Sequence, residues 1–265
     1  PSANSSIQFN IATKDTPMTN LALITGAAGG LGQAVAKRLL ADGWQLALVG
    51  RDAATLQAAH GDAHLQIVAD CSTTDGVAII FKRLQEAGFT ATALAHCVGN
   101  IRLSPLHRMR ETDFNDCLSA NLISAFHTLA GFVGALRNAQ QPGAAVLVSS
   151  VAARIGTPNH EAIAAAKAGV EGLVRGAAAT YAAAGIRINA VAPGIMATQG
   201  AAGILASPVS RDAAARQYPL PGIGEPAELA ELMAWLLSAH AARVTGQTWA
   251  LDGGFSTIRP LVRGA

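Results

Sequence analysis

The stretch Leu21-Ala-Leu-Ile-Thr-Gly-Ala-Ala-Gly-Gly-Leu-Gly32 decides the fold of this chain. It opens with a short apolar run, typical of a buried strand, and leads into Leu31–Ala41, where apolar residues recur at helical spacing. The glycines in between let the backbone turn tightly and approach a ligand closely. Because the N-terminus of a helix attracts phosphate, this order of strand, glycines and helix predicts a dinucleotide-binding site. The residues expected to form it are Thr25, Gly26, Gly30, Leu31 and Gly32.

The alternation of apolar runs and helical patterns continues along the rest of the chain. Strands that alternate with helices are typical of βαβ units, so we predict an α/β fold with a parallel sheet. The strands are expected at Leu21–Thr25, Gln45–Val49, His64–Ala69, Leu94–Val98, Ala144–Ser149, Ile186–Ala192 and Thr248–Leu251.

The sequence indicates one domain with two irregular segments. No repeat or linker divides residues 18–265, which we expect to form a single nucleotide-binding domain. Residues 1–17 are polar and aperiodic, which predicts a flexible leader. Residues 199–226 lack clear periodicity and are too long for an ordinary connection, so they are a candidate substrate lid.

Composition and charge limit the classes of partner. With a net charge of +2 and 14% charged residues, the chain has no concentrated basic surface for nucleic acid or an anionic membrane. The three cysteines and the histidines lack the spacing of a disulfide framework or a metal site, so no metal is predicted. No run approaches the ~20 apolar residues of a membrane span. We expect a cytoplasmic protein that acts on a small molecule.

Arg51 decides which cofactor the sequence favours. It follows the second predicted strand, where an acidic residue would bind the ribose hydroxyls of NAD. A guanidinium there offers a planar, positive donor for a 2′-phosphate, so we predict NADP(H). The alternative is an ordinary exposed arginine. After the third strand, Asp70 is placed to meet the adenine ring.

With these residues in view, the chain resembles the short-chain dehydrogenase/reductase family over residues 18–256. The matching features are the TGxxxGxG run at 25–32, Asn121, the Ser149-Ser150 pair, Lys167 in AAAKAG, Asn189-Ala-Val-Ala-Pro193-Gly194 and the closing run at 245–254. The resemblance implies a doubly wound, Rossmann-type parallel sheet of about seven strands with helices on both faces. It also implies a homotetramer or homodimer.

The resemblance further implies roles for individual residues. Ser150 would position the substrate oxygen, Lys167 would hold the nicotinamide ribose, and Asn121 would hold a water relay. Further cofactor contacts would come from Gly99, Pro193, Gly194, Ile195 and Thr198.

Two positions depart from the family pattern. The family's proton donor is a tyrosine four residues before the lysine, and here that residue is Ile163, which cannot exchange a proton. After the fourth strand, His96-Cys97-Val98-Gly99 stands where the family usually shows NNAG. Gly99 keeps the close approach to the cofactor, while loss of the asparagines changes hydrogen bonds that brace the sheet.

His160 is the first candidate to replace the missing phenol. Thr157-Pro158 has the pattern of a helix start, so the helix that carries Lys167 is predicted to begin just before Asn159. That spacing places His160 on the same helical face as Ile163 and Lys167, as a possible proton donor. The same arrangement is similar to bacterial enoyl reductases of this superfamily, which carry their tyrosine seven residues before the lysine.

Other readings stay open. His160 is equally well explained as a histidine that faces solvent or pairs with Glu161. Tyr218 is a weaker candidate, because it would reach a ligand only if the lid closes. Two functions follow: an NADPH-dependent reductase of a small carbonyl or conjugated C=C substrate, or a silent NADP-binding homologue that serves as a sensor or oligomer partner. The absence of a tyrosine at Ile163 is the main support for the second.

Overall fold

All seven predicted runs form strands of one parallel sheet in the computed structural model, which describes residues 20–259. The predicted leader, residues 1–17, lies outside the described residues. The strands are β1 (Leu21–Thr25), β2 (Gln45–Gly50), β3 (Leu65–Val68), β4 (Ala93–His96), β5 (Gly143–Val148), β6 (Ile186–Pro193) and β7 (Thr248–Leu251).

Helices connect the strands and cover the sheet. Within residues 20–259 they are α1 (Gly30–Ala41), α2 (Ala53–His60), α3 (Thr74–Glu86), α4 (Glu111–Leu118), α5 (Ser124–Ala139), α6 (Glu161–Tyr181), α7 (Pro208–Ala215) and α8 (Pro226–Leu237). A π-helical turn, Ser119–Ile123, joins α4 directly to α5. The predicted helix Leu31–Ala41 is α1, which begins one residue earlier.

The strand order is β3-β2-β1-β4-β5-β6-β7, so the winding of the sheet reverses at β1. Thr25 at the end of β1 pairs with Val49 of β2 on one side and with His96 of β4 on the other. In open α/β sheets, ligands bind outside the carboxyl ends of the strands at such a reversal. The doubly wound fold predicted from the sequence is therefore confirmed, and it fixes where a site must lie.

Two hydrophobic clusters, one on each face of the sheet, hold the helices in place. Leu23 shares a buried cluster with Phe132 of α5, and Ile24 shares another with Val35 of α1. Successive side chains of a strand point to opposite faces. Because β1 is buried along its whole length, it contributes to both clusters, as expected for a parallel sheet covered on both sides.

The helical run Glu111–Ala139 is, within residues 20–259, the one that is long and apolar enough to span a membrane by length and composition. Its buried side chains, which include Leu129, Phe132 and Leu136, belong to the hydrophobic core. The core helix of a globular protein passes the same test, so this run gives no support for a membrane span.

Residues 199–226, predicted as an aperiodic lid, contain more regular structure than the sequence indicates. They include a 3-10 turn at Gln199–Ala201 and the helix α7, which begins with a capping box at Ser207. A bridge between Met196 and Gly224 brings the two ends of the segment together. The segment therefore folds back beside the end of β6.

Candidate active site

A cavity of about 390 Å³ lies at the carboxyl ends of β4, β5 and β6. The predicted site residues that line it are Leu31, Gly99, Asn121, Ser150, His160, Lys167, Pro193, Gly194, Ile195 and Thr198. The remaining predicted residues do not line the cavity and lie at or after the ends of β1, β2 and β3; they are Thr25, Gly26, Gly30, Gly32, Arg51 and Asp70. A wider groove of about 840 Å³ between α3 and α5 contains none of the predicted site residues, so the chemistry is assigned to the smaller cavity.

Glycine is present at positions 26, 30 and 32, which follow β1, for different physical reasons. A Cβ on Gly26 would lie 2.9 Å from the backbone of Cys97, and Gly26 has a φ of +68°. A Cβ on Gly32 would collide with the carbonyl oxygen of Gly26. At Gly30 a Cβ would meet nothing closer than Thr198, at 3.7 Å. The fold therefore requires Gly26 and Gly32, whereas Gly30 leaves open space before α1. The N-terminus of α1 has no side-chain cap, so its backbone N–H groups are free to bind phosphate.

The residues after β2 and β3 form a polar edge suited to the adenosine end of a dinucleotide. Asp52 accepts a hydrogen bond from the backbone N of Thr55 at 2.8 Å and so caps α2. Arg51 is exposed and makes no ion pair with any described residue. Asp70 accepts from the N and Oγ of Ser72 at 2.8 and 2.7 Å, and these bonds lower its pKa. Asp52 thus has one oxygen engaged by the helix cap, while the guanidinium of Arg51 is available to a ligand.

His60 braces the glycine-rich turn, a contact that the sequence does not indicate. Its Nε2 lies 2.9 Å from the carbonyl oxygen of Ala27. Because a carbonyl only accepts, the imidazole donates this bond. The contact joins the end of α2 to the turn that follows β1.

Lys167 of α6 is the main charge in the cavity. It is 6% exposed, and its Nζ donates to the carbonyl oxygen of Val148 at 2.7 Å. Burial lowers the pKa of Lys167 to about 8, since the charged form is poorly solvated there. A Cβ on Gly99 would lie 3.5 Å from this Nζ and 2.6 Å from the Oδ1 of Asn121. Only glycine at position 99 lets these two polar groups approach the end of β4.

Asn121 occupies the π-helical turn between α4 and α5. Its Nδ2 donates to the carbonyl oxygen of Cys117 at 2.9 Å and to the backbone and side-chain oxygens of Asn100 at 3.1 and 3.0 Å. Its Oδ1 is buried and has no hydrogen-bond partner among residues 20–259. A buried acceptor without a donor is costly. Together with its position beside Lys167, the free Oδ1 suits a water or a ligand hydroxyl.

The two serines at the end of β5 have separate roles. Ser149 donates to Glu171 at 3.0 Å, and Glu171 also pairs with Arg154 at 3.0 Å. Ser150 lines the cavity and accepts from the backbone N of Ala152 at 3.2 Å, which leaves its own hydroxyl hydrogen for a ligand. Ser149 thus helps to hold α6, and Ser150 is the serine suited to contact a substrate.

Ile163 lines the cavity, but it also belongs to a small apolar cluster. It is 5% exposed and groups with Cys117, Ala152 and Ala162. An aliphatic side chain in such surroundings packs well and offers neither a donor nor an acceptor. At the position where the family carries its tyrosine, Ile163 therefore contributes to apolar packing and supplies no acid.

The predicted helix start before Asn159 is wrong. Asn159 has a φ of +64°, in the left-handed region, so the helix cannot continue through it, and α6 begins at Glu161. His160 is the residue just before the helix, yet it still lines the cavity with Ile163. Its Nδ1 donates to the carbonyl oxygen of Pro158 at 2.7 Å, which leaves Nε2 for a ligand.

Tyr218 reaches the cavity without any closure of the lid, contrary to the expectation from the sequence. Its hydroxyl accepts a hydrogen bond from the backbone N of Ile195 at 2.7 Å. Its ring lies against Gly194 and 5.1 Å from the ring of Phe255, and burial raises its pKa. The amide of Ile195, predicted to contact the cofactor, is engaged by this phenol in the structure.

His96, the first departure from the family's NNAG pattern, is buried at the end of β4. Its Nδ1 lies 2.8 Å from the Oγ1 of Thr25 and its Nε2 lies 3.1 Å from the Oγ of Ser124. Burial, and after it the charge of Lys167, lowers the pKa of His96 to about 3. The imidazole is therefore neutral near pH 7 and links β1 to the start of α5.

The reversal of winding at β1, the glycine-rich turn and the cavity at the ends of β4, β5 and β6 are typical of a dinucleotide-binding α/β protein. Residues 26–256 match the family model described as enoyl-(acyl carrier protein) reductase. The chain belongs to the short-chain dehydrogenase/reductase family of nicotinamide-dependent oxidoreductases.

Individual relatives agree with this assignment over most of their length. The chain is 37% identical over 247 residues to a cis-4-hydroxycyclohexanecarboxylate dehydrogenase of Sinomonas cyclohexanicum, covering 90% of this chain and 97% of the relative. It is 31% identical over 246 residues to an A-factor type gamma-butyrolactone 1'-reductase of Streptomyces virginiae, covering 90% and 96%. The structure of ElxO with NADP bound superposes with a TM-score of 0.83 at 26% identity, covering 90% and 99%.

Substitution of Gly30 by alanine separates cofactor binding from folding. The new methyl group meets no protein atom closer than 3.7 Å, so Gly30→Ala should leave the urea midpoint unchanged or slightly raised. It should weaken NADPH binding about tenfold or more, about 1.4 kcal/mol, because it fills the space before α1. Fluorescence titration with NADPH measures the affinity.

Gly32→Ala is the matched control, since its methyl group collides with the carbonyl oxygen of Gly26 and should lower the urea midpoint itself. Unchanged NADPH affinity in Gly30→Ala would show that the open space before α1 does not hold the cofactor.

Proposed function

We propose that this chain is an NADPH-dependent reductase of a small carbonyl or conjugated C=C substrate. The observation that carries the proposal is the cavity itself, which places Ser150, Lys167 and Asn121 around one space at the end of the sheet. Two relatives described above are named for oxidation or reduction of small organic molecules. This agrees with a small substrate.

The choice of NADP(H) over NAD(H) rests on Arg51. Its neighbour Asp52 uses Oδ1 to cap α2, while the guanidinium is exposed and makes no ion pair within residues 20–259. A guanidinium suits a phosphate because it presents planar, charge-assisted donors. The NADP-bound relative supports the same choice.

The substrate side of the cavity is largely apolar. The lining includes Ile101, Leu103, Val151 and Ile204, together with a smaller number of polar residues such as Ser150. Apolar walls with a few convergent polar groups are typical of small-molecule sites. We infer an uncharged substrate whose oxygen is directed toward Ser150.

The residues present fit a hydride transfer to such a substrate. The bound dihydronicotinamide supplies the hydride. Ser150 donates its free hydroxyl hydrogen to the substrate oxygen and stabilises charge that develops there. Lys167 would hold the ribose and add positive charge, and the buried Oδ1 of Asn121, which has no partner within residues 20–259, would accept a hydrogen bond from a water.

Ile163 supplies no proton, so we assign the proton to His160 or to water. Tyr218 is a weaker candidate, because its hydroxyl already accepts a hydrogen bond from Ile195. His160 lines the cavity, and its Nε2 makes no hydrogen bond within residues 20–259, so a protonated imidazole there can donate to the substrate. Otherwise water supplies the proton. Reduction of a conjugated C=C bond suits the second route, since the enolate needs stabilisation at oxygen and takes its last proton at carbon.

A second function is favoured by one specific observation. Ile163 is packed in an apolar cluster with Cys117 and Ala152, so nothing at that position replaces the acid of the family. A chain that keeps the cofactor side of the site but lacks an acid can bind NADP and stay silent, as a sensor or oligomer partner.

Self-association is part of the proposal. Trp235 of α8 and Trp249 of β7 lie with ring centroids 5.3 Å apart and tilted by 47° at the edge of the sheet, and both are more than a third exposed. Exposed aromatic pairs are typical of interfaces. A homotetramer or homodimer that uses this edge, and a cytoplasmic location, stay predictions.

Single-turnover loss of NADPH absorbance tests the enzyme against the silent homologue. The panel should contain enones, quinones and ketones, and the proteins should be wild type, His160→Ala and Ile163→Tyr. If His160 is the donor, its loss slows oxidation about 10²-fold or more. The exposed His240, outside the cavity lining, provides the matched control His240→Ala, which should behave as wild type.

Oxidation that survives in His160→Ala but falls in Ser150→Ala would assign the proton to water. A wild-type protein that binds NADPH and never oxidises it, together with ketone reduction gained by Ile163→Tyr, would contradict the reductase and establish the silent homologue.

Arg51→Ala tests the cofactor preference. Loss of the guanidinium should weaken NADPH binding about tenfold, about 1.4 kcal/mol, and leave NADH binding unchanged, because only NADPH carries the 2′-phosphate. Competition titrations with both nucleotides on the same protein supply the internal control. An equal loss of affinity for NADPH and NADH would mean that Arg51 does not bind the 2′-phosphate.

A further inference from the structure

His96 is the middle of a directed chain of hydrogen bonds. Ser124 Oγ donates its one hydrogen to the carbonyl oxygen of Ala120 at 2.7 Å. Its contact with His96 at 3.1 Å must therefore be accepted from the imidazole, so Nε2 carries the hydrogen. Since the imidazole is neutral, Nδ1 accepts, and Thr25 donates to it at 2.8 Å.

The far end of this chain lies on the π-helical turn that carries Asn121. Within the turn, the backbone N of Ser124 bonds to the carbonyl oxygen of Ser119, one residue further back than in an α-helix. The hydroxyl of Ser124 bonds to the carbonyl oxygen of Ala120, next to Asn121. Hydrogen bonds from His96 and Ser124 thus connect the widened turn to the sheet.

Rigid support for Asn121 matters because its neighbours leave little room. The free Oδ1 of Asn121 would be 2.6 Å from a Cβ on Gly99, and the Nζ of Lys167 would be 3.5 Å from the same point. A small movement of the turn therefore changes the distance between Asn121 and Lys167. The bond between His96 and Ser124 resists such a movement.

We propose that His96 is a positioning residue, which holds the π-helical turn through Ser124 and thereby sets Asn121 against Lys167 at the nicotinamide end of the site. The identity of the ligand in this proposal rests on the proposed NADPH-dependent function. The hydrogen bonds from His96 to the turn do not depend on that function. It assigns a role to the histidine that stands where the family usually has asparagine.

Two substitutions at position 96 separate the two hydrogen bonds. The terminal atoms of asparagine lie about as far from the backbone as Nδ1 of histidine, whereas those of glutamine reach about as far as Nε2. His96→Asn should keep the bond to Thr25 and lose the bond to Ser124. His96→Gln should keep the bond to Ser124. Ser124→Ala also removes the hydrogen bond between His96 and Ser124, and it replaces His96→Asn in the test if that variant folds poorly.

Hydrogen–deuterium exchange of the ligand-free protein measures the local stability of the π-helical turn directly. Amides of residues 119–124 should exchange faster in His96→Asn and Ser124→Ala, and at nearly the wild-type rate in His96→Gln. Equal exchange in all three variants and the wild type would overturn the proposal. An equal increase in exchange in His96→Gln and His96→Asn would also overturn it. Neither result depends on cofactor binding.

Ligand titrations then test the consequence for the site. NADPH should bind about tenfold more weakly to His96→Asn and Ser124→Ala, while 2′-phospho-ADP-ribose, which lacks nicotinamide, should bind as to wild type. Equal losses for both ligands would indicate a general defect and contradict the positioning role. A wild-type protein that binds neither ligand would instead refute the proposed function, and the exchange result would still decide the role of His96.

Discussion

The structure depends on the close contact between the turn after β1 and the end of β4. A side chain on Gly26 would lie 2.9 Å from the backbone of Cys97, so the two segments meet backbone to backbone. This contact places the N-terminus of α1, which is suited to phosphate, beside Gly99, which is suited to nicotinamide. The same junction contains Thr25 and His96, whose hydrogen bond extends the connection to α5.

The cavity brings together residues suited to bind a cofactor, but it has no acid at position 163, where the family carries its proton donor. Lys167, Asn121 and Ser150 surround the cavity, whereas Ile163 packs among apolar neighbours. Hydride transfer needs only position and charge stabilisation from the protein, but the fate of the proton decides which substrates can be reduced. That asymmetry favours substrates whose last proton arrives at carbon.

Repeating local patterns explain why the fold was predictable. Apolar runs bounded by turns identified all seven strands, and the signal was strongest for β1, β2, β4, β5 and β6, because strands buried on both faces need continuous apolar sequence. Gly26 and Gly32 were equally informative, since a side chain at either would clash with the backbone, whereas Gly30 keeps open the space before α1. Asn121, Ser150 and Lys167 were found through resemblance to a family, and the structure brings them to one cavity.

Contacts between distant residues, and one backbone angle, were not predictable. The left-handed Asn159 displaced the start of α6, although Thr157-Pro158 had the pattern of a helix cap. Tyr218 reaches Ile195 because the 199–226 segment folds back beside β6, and His96 meets Thr25 across 71 residues of sequence. No local pattern encodes such pairs, since they depend on how finished elements pack.

A crystal structure of the chain with NADP⁺ would show where the cofactor binds. We expect the pyrophosphate at the N-terminus of α1, the 2′-phosphate against Arg51, and the nicotinamide beside Lys167 and Ser150 with Ile163 as its apolar neighbour. A nucleotide bound elsewhere, or a nicotinamide outside the cavity, would contradict this prediction.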